Sequence, residues 1–62
     1  VSLTAIADAL SEHPDELMNL GVLLGLTVGE PAVLRKAPEI REGATKGEYA
    51  ALIRLTVLEV HP

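Results

Sequence analysis

A chain of 62 residues has room for one hydrophobic core, and without a single cysteine it can draw on neither a disulfide framework nor a thiolate metal site. Its apolar content of 48% excludes intrinsic disorder, yet no apolar run approaches the about 18 residues of a membrane span. Net charge is −4, and residues 1–34 hold five acidic side chains with no lysine or arginine, which disfavours nucleic acid as a partner because that affinity comes from clustered cations.

In chain order, the first element is a helix. Ser2 stands where a cap belongs, and Val1 and Ile6 flank it at hydrophobic-staple spacing. Leu3, Ile6, Ala7 and Leu10 then recur as i, i+3, i+4, i+7, one apolar stripe. Ser11 to His13 is a polar break. Pro14 suits the first position of a second helix, and Asp15 and Glu16 suit its first turn, where the helix dipole favours negative charge.

The second helix is predicted to run from Pro14 to Leu24. Leu17, Leu20, Gly21 and Leu24 line one face, Met18 and Val22 another, and Leu23 points a third way. A helix apolar on most sides belongs in the centre of a bundle or against a partner. Leu24 is accordingly expected in the core. Gly25 is the expected left-handed stop, with Leu26 folding back on the helix.

A third, short helix follows, opened either by a Thr27–Glu30 capping box or by Gly29, which places Pro31 in the first turn. Val33, Leu34 and Ala37 form its buried side, and Pro38 ends it. Residues 38–44 read as a connection anchored by Ile40. A second T-x-x-E box, Thr45 to Glu48, opens the last segment, where Tyr49, Leu52, Ile53, Thr56, Val57 and Val60 make a helical stripe broadened by Ala51, Leu55 and Leu58. The rival reading of residues 52–60 is a strand, because "IRLTVLEV" is rich in β-branched residues. Cap and length favour the helix. Tyr49, the only aromatic side chain, is expected to be the one large ring of the core, with its hydroxyl at the edge.

Residues with chemical potential are few. The two imidazoles, His13 and His61, have no second ligand at zinc-site spacing. Asp15 and Glu16 are adjacent and diverge on a helix. Ser2, Ser11, Thr27 and Thr45 read as caps or loop residues with no base in reach. The sequence therefore implies no enzyme, no cofactor and no metal site.

One pattern spans several elements. "PDELMNLGVLLGLTVGEPAVLRKAPEI", a polar connection and "GEYAALIRLTVLEV" together resemble the death-fold superfamily, the death domains in particular. There a helix ends in a Leu-Gly-Leu-Ser/Thr step, a short helix follows and a longer one packs beneath it. Leu24, Gly25, Leu26 and Thr27 match that step. The resemblance implies an adaptor that binds similar domains through charged and polar faces, without enzymatic activity.

The resulting expectation is an all-α fold, a small antiparallel, death-fold-like bundle of four to five helices. Residues 1–62 form a single interaction domain, expected to be excised from a larger chain. The function expected is protein–protein interaction, in an adaptor or signalling role, with a similar domain or a second copy as partner. No nucleic acid, membrane or small-molecule substrate is expected. Charge asymmetry supplies the candidate contacts: Asp8, Asp15 and Glu16 on one side, Arg35, Lys36 and Arg41 on another. Two alternatives are a small helical DNA-binding domain, since "LTAIADAL" could pass for part of a helix-turn-helix, and an oligomerising or structural domain of a larger enzyme. With no cysteine and no secretory signal in view, a cytoplasmic setting is expected.

Overall fold

Ser2 takes an extended conformation, and its hydroxyl oxygen accepts from the Ala5 N–H at 3.1 Å, so the first helix starts where its cap predicts. In a computed structural model that describes residues 1–60, without the side chain of Val60, four helices follow one another: α1 (Leu3–Leu10), α2 (Leu20–Thr27), α3 (Pro31–Lys36) and α4 (Lys46–Val60). The described residues form no strand ladder, only an isolated antiparallel bridge between Leu17 and Thr45. His61 lies outside them, as does the contribution of Val60 to the last stripe.

The core is built mainly where α1 meets α4. Ile6, Ala7 and Leu10 from α1 are buried with Tyr49, Ala50 and Ile53 from α4, and Met18, Leu23 and Val33 close the cluster. The α1 stripe is therefore as predicted, with Leu3 half-buried at its edge. Residues 52–60 are helical, which removes the strand reading. Tyr49 is fully buried, and its hydroxyl donates to the Pro38 carbonyl, tying α4 to the turn after α3. Leu52 and Val57 are half-buried as the stripe requires, but Ala51, Leu55 and Leu58 face solvent. The face broadens through Ala50 instead.

The second helix departs most from expectation. It begins at Leu20, capped by Asn19, whose side-chain oxygen accepts from the Val22 N–H at 3.0 Å. Pro14 to Met18 forms no helix because its carbonyls are engaged elsewhere. The Lys46 N–H donates to the Glu16 carbonyl at 2.7 Å, and the Gly47 N–H to the Pro14 carbonyl at 3.1 Å. The Met18 N–H donates to the Ala44 carbonyl at 2.9 Å. This segment is a strap across the start of α4.

The strap completes a helix end that the sequence half announces. The first four N–H groups of a helix lack partners within it. In α4 the strap takes those of Lys46 and Gly47, and the Thr45 hydroxyl takes that of Glu48 at 3.1 Å. The Tyr49 N–H reaches the Thr45 carbonyl at 3.0 Å, while the Glu48 carboxylate accepts from the Thr45 N–H at 3.0 Å. The predicted capping box is present, with a tertiary contribution beside it. Gly47 permits the close approach: a Cβ there would lie 2.8 Å from Pro14 Cβ.

Three expectations about the middle of the chain are corrected. Gly25 does not stop α2 but lies inside it; the chain turns left-handed at Val28, with φ 48°, and at Gly29, with φ 72°. Thr27 does not cap α3. It is the buried last residue of α2, its hydroxyl donating to the Leu24 carbonyl at 3.3 Å. The cap position of α3 is Glu30, which makes no side-chain cap bond, and Pro31 occupies the first turn. Val33 is buried and Leu34 and Ala37 half-buried, with Ile40 anchored behind them, as the sequence predicts.

Leu17, Leu20 and Leu24 are corrected as well. They are 64%, 59% and 44% exposed, while Leu23 at 4% is the leucine α2 gives to the core. The helix is apolar on both sides, so periodicity alone could not choose between them. Docking through Leu23 and Thr27, with Leu26 half-buried beside them, turns Leu20 and Leu24 outward.

Candidate interaction surface

Of the six charged residues singled out from the sequence, Asp8 and Glu16 are paired within the chain and the other four make no ion pair among the described residues. Asp8 on α1 accepts from Arg54 on α4 at 3.1 Å, so this pair ties the two core helices together at their exposed edge. Glu16 on the strap accepts from Lys46 at 2.5 Å, and this ammonium holds the carboxyl of Glu16 below the usual carboxylate range. Asp15 is exposed and makes no ion pair among the described residues. Two of the three acids are thus engaged within the chain.

The cations divide differently. With Lys46 and Arg54 engaged, Arg35, Lys36 and Arg41 are left without an ion-pair partner among the described residues. All three are exposed, yet they do not share one recess. Lys36 borders a groove at the start of α1, with Leu3 and Val57. Arg41 borders another along α4, with Leu52 and Leu55. Arg35 stands on α3 directly after Leu34, which lines a third groove with Leu20, Leu24, Pro38 and Ile40.

That third groove adjoins the most unusual surface of the chain. The outward arc of α2 consists of Leu20, Gly21, Leu24 and Gly25, all exposed and none polar. Leu17 precedes it, and Val28 extends it past the helix end, 76% exposed. Val28 holds its left-handed backbone against the preference of a β-branched side chain, at a cost of about 1–2 kcal/mol. Scattered exposed leucines need no explanation; these share one face of one helix. The signal was already in the sequence, in a helix apolar on most sides.

Among the described residues no group of three or more His, Cys, Asp or Glu side chains converges as a metal site would require. No helix among them is long and apolar enough to cross a membrane. Set against known proteins, the chain matches no family model, no curated protein sequence and no solved structure.

Proposed function

We propose that this chain is a non-catalytic protein–protein interaction module of the adaptor kind, set in the cytoplasm and contacting a similar domain or another copy of itself. The observation that carries the reading is the outward arc of α2, an unbroken apolar strip displayed by a domain too small to spare apolar surface. Arg35, Lys36 and Arg41, exposed and without ion-pair partners among the described residues, supply further charge for steering a partner.

A death-fold character belongs to the same proposal. The Leu24-Gly25-Leu26-Thr27 step ends α2, the short α3 follows it, and the longer α4 packs against the core, in the order that the resemblance implies. Four helices among the described residues are fewer than the six usual in death domains, so the proposal concerns a reduced member.

The test is partner capture by the immobilised chain from an extract of its own cells, at low salt. Reversal of charge in an Arg35→Glu/Lys36→Glu variant should leave helicity unchanged and weaken capture. Equal recovery of the same partners by that variant and by a Leu20→Glu/Leu24→Glu variant would remove this surface from the function.

A further inference from the structure

Residues 19–40, which carry α2 and α3, leave the rest of the fold and return to it through a pinned neck. The Met18 N–H donates to the Ala44 carbonyl at 2.9 Å, beside the antiparallel bridge of Leu17 with Thr45. Just outside the neck, the Glu16 carbonyl accepts from the Lys46 N–H at 2.7 Å. Beyond it α1 and α4 make the most extensive contact between helices, and Asp8 meets Arg54 at its edge. The excursion is held together by bonds of its own. At its bend the Gly29 N–H donates to the Leu24 carbonyl at 3.3 Å and the Glu30 N–H to the Thr27 carbonyl at 3.1 Å.

Few ties cross from this excursion to the α1–α4 pair. Of the nine buried apolar side chains of the core, only Leu23 and Val33 come from residues 19–40, with Leu26 and Leu34 half-buried at the margin. Buried Thr27 bonds within its own helix, to the Leu24 carbonyl, so it needs no partner across the boundary. Among the described residues two polar contacts span the gap. The Tyr49 hydroxyl donates to the Pro38 carbonyl at 2.5 Å, in a partly buried setting. The Val1 ammonium reaches the Glu30 carboxylate at 3.5 Å, an exposed pair that solvent screens to little effect.

We infer that α2 and α3 lift from the α1–α4 pair as one body, hinged at the neck and latched by the Tyr49 hydroxyl. Proteins open in cooperative units along boundaries that few buried contacts cross. Lifting here gives up the burial of Leu23 and Val33 and the Tyr49 bond. It spares the α1–α4 contact, the neck and the capping of α4, all of which full unfolding must break. The lifted form is therefore reached at lower cost than the unfolded chain. In it α2 bares Leu23 and Leu26, which the closed form keeps against the core, so the apolar surface on offer depends on the latch. This device is separate from docking on the outer arc, because Leu20 and Leu24 are exposed before any lift.

Native-state amide hydrogen exchange of the 62-residue chain, followed by NMR across low urea concentrations, tests this. Amides of α2 and α3 should share one protection factor, roughly tenfold or more below that of α1 and α4. Their urea dependence should be weaker, since lifting exposes less surface than unfolding. The neck amide of Met18 should follow α1 and α4. Ser2→Ala removes the cap of α1, a helix paired alike in the closed and lifted forms. It should speed exchange in α1 and α4 roughly fivefold and leave α2 and α3 unchanged. Tyr49→Phe keeps the ring and removes the latch, and should speed exchange in α2 and α3 roughly fivefold. A single protection factor and urea slope for all four helices would overturn the inference. So would a Ser2→Ala effect spread equally over them, or α2 and α3 amides indifferent to loss of the Tyr49 hydroxyl.

Discussion

Leu23 and Leu24 are neighbours in sequence with opposite fates, and their difference is the clearest consequence of the fold at the scale of a residue. Leu23 is buried in the shared core, whereas Leu24 stands on the outward arc. Truncating a buried leucine loses transfer free energy and leaves a cavity; truncating an exposed one does little of either. Leu23→Ala should therefore destabilise the domain by about 2–5 kcal/mol. Leu24→Ala should cost less than about 1 kcal/mol in urea unfolding at low protein concentration. Equal losses would place both leucines in the core. Hydrophobic pattern could not separate them, because α2 carries leucine or valine in every direction and only the docked partners reveal its inner side. Tyr49 was easier to read: the only aromatic ring in an aliphatic chain had one sensible place, and its hydroxyl found the Pro38 carbonyl at the edge.

At the scale of elements, local bonds were legible and long-range ones were not. Ser2 and the Thr45–Glu48 box form bonds within a few residues, so α1 and α4 begin where their sequences say. Pro14, Asp15 and Glu16 make an equally good local signal, yet no helix starts there, because two of their carbonyls serve α4 some thirty residues away. The start of α2 thus shifts to Asn19, whose side chain provides the cap. Gly47 shows the same limit. An alanine in a helix interior is ordinarily favoured over glycine by about 1 kcal/mol, but a Cβ here meets Pro14 Cβ at 2.8 Å and the Pro14 carbonyl oxygen at 3.2 Å. Gly47→Ala should consequently destabilise by about 1–3 kcal/mol and loosen the strap, read as lost amide protection at Lys46 and Gly47. A stabilised variant would mean that the strap does not press on α4.

At the scale of the whole molecule, the all-α architecture and the single core followed from composition and periodicity, while the arrangement of charge did not. Asp8 and Glu16 are paired within the chain, with Arg54 and Lys46, and Lys36 and Arg41 border separate grooves. What unites the surface is the apolar side of α2, which a chain of this size retains at some cost to its own core. Such a domain gains stability by mass action when a partner covers that face. On this reading α2 holds those leucines out for association and not for folding. Sedimentation velocity of the Leu24→Glu variant separates the two, since one run reports both compactness and association. The predicted result is a folded chain as compact as the wild type that has lost the association the wild type shows. An expanded, unfolded chain would return Leu24 to the core, and association undiminished from the wild type would move the contact off α2; either contradicts this reading.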